Sequence, residues 1–258
     1  MHGIFDSHSH YNDAAFSDDL EKVLEKIQVR GVQTVVNVGA DIDSSALAVR
    51  QAARYPFMYC SVGIHPEDAD QALDGGIMDR LSSLAEGDRV VAIGEAGLDY
   101  HYDDRKPDEV QKEAFIRQIE LANRTKKPLI IHSRDAMRDT IDILRKHPVH
   151  RAVVHCYSGS RESCRQLVRM GLYIGFTGVI TFKNARRAIE SLLTVPKDRI
   201  LIETDCPYMA PVPFRGKRCD SSMIRYTARK MGEVLGMSSE ETVEMTYLNA
   251  CSFYSIEP

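Results

Sequence analysis

The chain has 258 residues, of which 43% are hydrophobic and 27% are charged, as in an ordinary globular protein. This length fits one large domain, because α/β barrels commonly reach about 200–250 residues as a single unit. The net charge is −4, whereas a repressor-like protein with a broad basic face is normally more positive, so a nucleic-acid substrate would have to meet a local cluster of Arg and Lys or bound metal ions.

Eight short apolar segments predict β-strands. They lie at residues 3–8, 33–38, 58–64, 90–94, 129–131, 152–154, 172–176 and 200–202. Segments of this length that are apolar on both alternating faces are typical of parallel strands covered on both sides.

Amphipathic segments between the strands predict helices, at residues 19–30, 107–126, 134–146, 161–170, 185–193 and 221–235. Ser238 followed by Glu241 resembles a capping box for one more helix, ending near Tyr254. Eight strands, each expected to be followed by a helix, predict an α/β fold: a TIM (β/α)8 barrel, one domain over residues 1–258, with an extra C-terminal helix. An open doubly wound sheet is the competing architecture. It normally has fewer strands, and no Gly-rich phosphate loop follows the first strand here.

The chain starts directly in a strand, without a basic segment followed by an apolar one and without an apolar run of about 18 residues. A cytoplasmic location without membrane contact is therefore expected. The six cysteines form no CxxC pair. They are interpreted as reduced thiols, with disulfides or a thiolate zinc site as the alternative.

Side chains that can bind metal stand where predicted strands end. They are His8, His10, His65, Glu95, His132, His155, Glu203 and Asp205. A barrel gathers the carboxyl ends of its strands on one face, so these residues would meet there. His8 and His10 are two residues apart, as are Glu203 and Asp205, so each pair would point the same way from an extended strand.

This set of side chains suits one or two divalent ions. Imidazole favours zinc, nickel, iron or copper, whereas carboxylate also allows magnesium or manganese. Two ions about 3.5–4 Å apart would need a bridging carboxylate, and Glu95 is the natural candidate. A single polar residue at a strand end is often only structural, but the whole set predicts a metal site. Cys156 and Cys206 adjoin proposed ligands and would point to the opposite face.

Six stretches carry a resemblance to a known family. They are FDSHSH at residues 5–10, GIHP at 63–66, GEAGLDY at 94–100, IHSR at 131–134, HCYSG at 155–159 and ETDCPY at 203–208. With these motifs the sequence resembles the TatD family of metal-dependent deoxyribonucleases, a branch of the amidohydrolase-like barrels.

The resemblance implies hydrolysis of phosphodiester bonds in DNA, often from the 3′ end, with two divalent ions. Magnesium is the expected ion in function, with zinc, manganese and nickel as alternatives. One ion would be held by His8, His10, Glu95 and Asp205, and the other by Glu95, His132 and His155. Asp205 would accept the proton of a water whose pKa a metal lowers. Glu203 and His65 would help to position water or substrate.

Basic residues on the loops after strands five, seven and eight are the predicted phosphate contacts. They are Arg134, Lys183, Arg215, Lys217 and Arg218. Arginine can bind a phosphate through two parallel hydrogen bonds, although a solvated rim is the alternative. Tyr157, Phe176 and Tyr208 are candidates to stack on a base, with packing as the alternative.

The chain departs from the family pattern at two places. Cys206 stands where the family often has Ser. Cys219-Asp220-Ser221 follows RGKR at residues 215–218, where the family often continues Asn-Glu-Pro. The second stretch lies on the loop after strand eight and bears on the range of substrates more than on metal binding.

Two other functions remain open. The same metal-activated water would also hydrolyse a carbonyl ester, amide or lactone, including the ester bond of aminoacyl-tRNA. Many such binuclear sites bridge their metals with a modified lysine on strand four. Glu95 stands there in this chain, which disfavours that subgroup. From another class, a non-catalytic metal-binding barrel is disfavoured because ligands and candidate base are all present. DNA is the expected partner and a monomer the expected state; no protein partner is indicated.

Overall fold

The computed structural model describes residues 2–258. In these residues eight strands alternate with nine α-helices. The strands are β1 Ile4–Ser9, β2 Val32–Val38, β3 Met58–Val62, β4 Val90–Asp99, β5 Leu129–Arg134, β6 Ala152–Val154, β7 Tyr173–Phe176 and β8 Ile200–Ile202. The helices are α1 Leu20–Val29, α2 Ile42–Arg54, α3 Gly75–Leu84, α4 Asp108–Thr125, α5 Met137–Lys146, α6 Arg161–Arg169, α7 Arg186–Leu192, α8 Ile224–Leu235 and α9 Ser239–Tyr254.

The strands follow one another in the sheet in chain order, from β1 to β8. The pairs β3–β4, β4–β5, β5–β6 and β7–β8 are parallel. Eight such strands, each followed by a helix, form the (β/α)8 barrel class of fold, which confirms the predicted fold class. The extra C-terminal helix is confirmed as α9, and the predicted capping box at Ser238 and Glu241 is formed.

Two compact units make up the chain: a terminal unit, residues 1–36 and 156–258, and a central unit, residues 37–155. In the terminal unit Phe5, Phe176 and Phe253 are among the largest fully buried side chains. In the central unit Ile93 and Phe115 are buried to the same degree. The predicted single domain over residues 1–258 stays a prediction.

Strand β4 is longer than the sequence predicts and carries Glu95 in its interior rather than at its end. Its second half contains Gly97, which has a φ of 151° and pairs with His132 of β5. A Cβ at Gly97 would collide with the carbonyl of His132. Glycine therefore allows β4 to pass close to β5 beside two predicted metal ligands.

The position of Arg134 differs from the prediction. It is the last residue of β5, paired with Asp99 of the long strand β4, and α5 begins only at Met137. The prediction that Arg134 lies on the following loop, at the start of a helix, is wrong because the extension of β4 also extends β5.

All six cysteines are free thiols. Burial raises the pKa of Cys60 to about 12, so this thiol stays protonated. Within residues 2–258, none of the helices has the length and apolar character needed to cross a membrane.

Candidate metal centre

Three metal-binding side chains meet in the terminal unit, at the ends of β1 and β8. His8 Nε2 and His10 Nε2 lie 3.1 Å apart. Asp205 Oδ1 lies 3.7 Å from the first nitrogen and 3.3 Å from the second. We call these three residues the terminal cluster.

Backbone hydrogen bonds set the position of Asp205. The N–H of Asp205 donates to the carbonyl of His8 at 2.9 Å, and the N–H of His10 donates to the carbonyl of Cys206 at 2.8 Å. Asp205 has a φ of 60° and lies beyond the end of β8. It therefore does not share an extended strand face with Glu203, as the spacing predicted, but is turned towards the two imidazoles by a left-handed backbone conformation that Asp tolerates.

A buried carboxylate, Asp6, lies behind the terminal cluster. Its Oδ1 accepts from the N–H groups of His8 and Thr204, at 3.3 and 3.0 Å. Its Oδ2 accepts from the hydroxyls of Thr204 and Ser221, at 2.5 and 2.6 Å. Burial raises the pKa of Asp6 to about 7 even though these hydrogen bonds oppose the shift. Asp6 thus fixes the backbone beside both His8 and Asp205, a role that the sequence analysis missed.

A second group of metal-binding atoms lies in the central unit. Glu95 Oε1 is 2.8 Å from His132 Nδ1 and 2.5 Å from His155 Nε2. The two imidazole nitrogens are 3.2 Å apart. Glu95 is 4% exposed, and we call these three residues the central cluster.

Both clusters have a donor set that fits a divalent ion. Each brings two imidazole nitrogens and one carboxylate oxygen within 4 Å of one another. Such a mixed nitrogen and oxygen set suits zinc, nickel or manganese and leaves room for water or substrate oxygens. The predicted sharing of Glu95 between two ions stays a prediction.

His132 is held from both sides of its ring. Its Nδ1 faces Glu95, while its Nε2 lies 2.9 Å from Asp99 Oδ2. Burial alone would lower the pKa of His132, but the hydrogen bonds to Asp99 and Glu95 outweigh it and raise the pKa above its ordinary value. When Nδ1 binds a metal, Nε2–H can still donate to Asp99, which then orients the ring from outside the ligand set.

We expect Asp99→Asn to lower the metal affinity of the central cluster by about 10–100-fold, because outer carboxylates of this kind orient the ligand and raise its basicity. Isothermal titration of metal-free protein measures this affinity. Asp104→Asn, an exposed residue of the following loop, is the matched control. Unchanged affinity in Asp99→Asn would show that Asp99 has no orienting role.

His65 lies beside the central cluster, with its Nε2 3.9 Å from Glu95 Oε1. Its Nδ1 accepts from the N–H of Glu67 at 3.2 Å. Burial, together with the neighbouring His132, lowers the pKa of His65 to about 3. His65 is therefore a neutral imidazole at physiological pH, able to donate one hydrogen bond from Nε2.

Glu203 is 1% exposed in the terminal unit. Its Oε1 accepts from the N–H of Cys156 at 2.5 Å, and its Oε2 accepts from the hydroxyl of Ser7 at 3.4 Å. A Cβ at Gly175 would run into this carboxylate, so glycine at that position makes room for it. In the part of the chain that is described, Glu203 belongs to none of the groups of converging metal-binding atoms.

The predicted phosphate contacts of the terminal unit differ in how they are engaged. The Arg215 guanidinium lies 4.6 Å from the ring centre of Phe182, and Lys183 is exposed. Lys217 Nζ lies 6.0 Å from the ring centre of Phe214. Arg218 is different, because both its terminal nitrogens bond Asp19, at 2.8 and 2.6 Å. This pairing disfavours Arg218 as a phosphate contact.

In the central unit, Arg134 donates to the hydroxyl of Tyr102 at 3.2 Å and stacks over its ring at 5.1 Å. Among the three aromatic candidates for base stacking, Tyr157 and Phe176 are 3% and 1% exposed, so packing is their role. Tyr208 is 55% exposed, and its hydroxyl donates to Asp13 at 2.9 Å. It therefore presents an anchored ring face to solvent.

Known proteins match the chain over nearly its whole length. The family model for TatD related DNase matches residues 5–255. A metal-dependent hydrolase of Bacillus subtilis, YabD, is 39% identical, over 98% of this chain and 99% of that protein. A metal-dependent hydrolase of Mycobacterium tuberculosis, TatD, is 34% identical over 98% of each chain. The crystal structure of YjjV, a TatD homolog from Escherichia coli, aligns with a TM-score of 0.92 at 26% identity and 98% coverage of each chain. The range matched by the family model includes every residue of both clusters.

Proposed function

The chain belongs to the TatD-related DNase family of metal-dependent hydrolases, and we propose that its substrate is DNA, which it shortens from the 3′ end. The single observation that carries this proposal is the pair of clusters, each with two imidazole nitrogens and a carboxylate. The proposal assigns one divalent ion, magnesium in function, to each cluster. Phosphodiester hydrolysis is the reaction for which two such ions are commonly used.

A bound divalent ion supplies a water of lowered pKa and neutralises charge on the phosphate oxygens. Asp205 is the proposed acceptor of the proton from the attacking water. The hydrogen bond from the backbone N–H of Asp205 to the carbonyl of His8 holds the backbone at Asp205, and with it the carboxylate, in place while the proton moves. His65, as a neutral donor, and Glu203, fixed by Cys156 and Ser7, position water or substrate.

Four of the five predicted phosphate contacts are proposed, because within residues 2–258 no carboxylate pairs with their side chains. They are Lys183, Arg215 and Lys217 in the terminal unit and Arg134 in the central unit. Tyr208 is the proposed stacking surface for a base, because its ring is exposed and its hydroxyl is anchored. Stacking of this kind contributes about 1–3 kcal/mol per base and tolerates any sequence.

Metal-stripped protein incubated with 3′- and 5′-labelled single-stranded DNA, with and without magnesium or manganese, tests the proposal. Metal-dependent shortening from the 3′ end is the expected result. If protein that has bound its metal ions cleaves no DNA, the proposal is wrong. A carbonyl ester or amide, including aminoacyl-tRNA, would then be the next substrate class to assay on the same centre.

A further inference from the structure

Two adjoining cavities on the terminal unit share Arg225 and Tyr226 as lining residues. The larger has a volume of about 470 Å³ and lies between α8 and the start of α9. The smaller, about 180 Å³, is also lined by Lys26, Arg30 and Phe214. We call the two cavities together the arginine groove.

The arginine groove is strongly basic although the whole chain carries a net charge of −4. Its lining includes the cations Lys26, Arg30, Arg225 and Arg229, against one carboxylate, Glu240. Lys26 pairs with Asp220 at 2.6 Å. Nothing of that kind compensates the three arginines, since no carboxylate in residues 2–258 pairs with them.

The hydrogen bonds of Arg225 support this description of the charge. Its Nε donates to the carbonyl of Ser222 at 3.2 Å, and its Nη2 donates to the carbonyl of Arg30 at 2.8 Å. Both acceptors are neutral, so the guanidinium is held in place while its charge remains available to an anion. Planar guanidinium groups match phosphate oxygens through paired hydrogen bonds.

Two aromatic rings, Phe214 and Tyr226, line the arginine groove, and Phe214 stands on the loop that carries Asp205. Phe214 packs edge-on against Tyr226, with ring centres 5.0 Å apart. Lys217 Nζ lies 6.0 Å from the centre of the Phe214 ring. Phe214 stands on the same loop as Tyr208, whose N–H donates to the carbonyl of Asp205 at 2.9 Å. One loop therefore joins a terminal-cluster ligand to the groove.

We propose that the arginine groove binds the sugar-phosphate backbone of a single nucleic-acid strand whose end is cleaved at the metal centre. This inference rests on the proposed function and narrows its substrate to strands longer than a dinucleotide. Proteins hold single strands by combining cations along the backbone with aromatic rings for the bases, and the rings of Phe214 and Tyr226 are half-buried in the groove. An acidic polypeptide would match the cations but would make no use of the rings.

Binding of single strands to the full chain with magnesium tests the groove. Fluorescence anisotropy is recorded with oligonucleotides of about 4 to about 16 nucleotides, linked by phosphorothioates that resist hydrolysis. Arg30→Gln combined with Arg229→Gln removes two cations without removing a described side-chain hydrogen bond. The slope of log affinity against log salt is negative, and each phosphate contact contributes about 0.7 to its magnitude. The loss of two contacts should therefore make the slope shallower by about 1.4.

The control is Arg50→Gln combined with Arg169→Gln, which changes the net charge equally at exposed positions of α2 and α6 outside the groove. A shallower dependence of log affinity on log salt in the groove variant alone, and a raised KM for long strands at unchanged kcat, would support the inference. Equal slopes in all three proteins would overturn it, and so would polyglutamate that competes as well as DNA. Cleavage is scored separately: if no DNA is cleaved, the proposed function fails, while the anisotropy result still decides the groove.

Discussion

Asp205→Asn should lower kcat/KM for DNA on the order of 10³-fold, because it removes the proposed proton acceptor and a charged member of the terminal cluster at once. Asp205 Oδ1 lies 3.3 Å from His10 Nε2 and 3.7 Å from His8 Nε2. An asparagine amide has the same size but neither accepts a proton from water nor offers a negative charge to an ion. The expected metal content is one equivalent lower than in the wild type.

Asparagine is the right replacement because the backbone at Asp205 is left-handed, with a φ of 60°. Asp and Asn are the non-glycine residues that adopt this conformation most readily, so the fold should be retained. Asp135→Asn is the matched control, since Asp135 has a φ of 54° and pairs with His101 at an exposed position. It should leave turnover unchanged.

Kinetics with labelled DNA and thermal unfolding are measured on the same preparations of wild type, Asp205→Asn and Asp135→Asn. Wild-type turnover in Asp205→Asn would exclude Asp205 as the proton acceptor. Lower stability at unchanged turnover would instead favour a barrel whose metal only stabilises the fold. A loss of activity shared by Asp135→Asn would show that the effect is not specific to the Asp205 carboxylate.

The members of both clusters could be predicted from the sequence because periodicity and fold class act together. His8 and His10 are two residues apart on a strand, and the structure places their Nε2 atoms 3.1 Å apart. His132 and Glu95 lie 37 positions apart in the chain, yet β4 and β5 are neighbours, and the barrel order alone brings them to the same edge. A repeating βα pattern therefore predicts contacts between residues that are far apart in the chain.

The residues that hold the cluster members in place could not be predicted in this way. Asp99 looks like a loop residue because the strand signal of β4 fades after Gly94, and only the register with β5 brings Asp99 to His132. Asp6 stands inside an apolar segment, and its hydrogen bonds to Thr204 and Ser221 depend on segments 198 and 215 residues away in the chain. Their roles depend on tertiary contacts that no local pattern encodes.

The same limit applies to the predicted phosphate contacts. Charge and position on a loop are visible in the sequence, but whether a cation is already paired is not. Arg218 is bound to Asp19, which is 199 residues away along the chain, whereas Arg215 lies over a phenylalanine ring. Arg225 and Arg229 of α8 were not predicted as ligand contacts, since on a helix they look like an ordinary solvated face.

Glu95→Gln should have an effect as large as that of Asp205→Asn. Glu95 Oε1 contacts His132 Nδ1 at 2.8 Å and His155 Nε2 at 2.5 Å, and the residue is 4% exposed. A neutral amide at this position removes the only carboxylate of the central cluster. We expect its metal affinity to fall at least about 100-fold, more than for an outer residue such as Asp99, and DNA cleavage to fall on the order of 10³-fold.

Glu67→Gln is the matched control for Glu95→Gln. Its carboxylate also lies near an imidazole, 4.0 Å from His65 Nδ1, but its side chain is 62% exposed. Metal content after gel filtration then separates two arrangements. The loss of one equivalent would make Glu95 a ligand of the central cluster alone, whereas the loss of both would identify it as the shared ligand predicted from its sequence position. Full metal content together with wild-type cleavage would contradict any role of Glu95 in the centre, because no other carboxylate of the central cluster remains to compensate the charge of a bound ion.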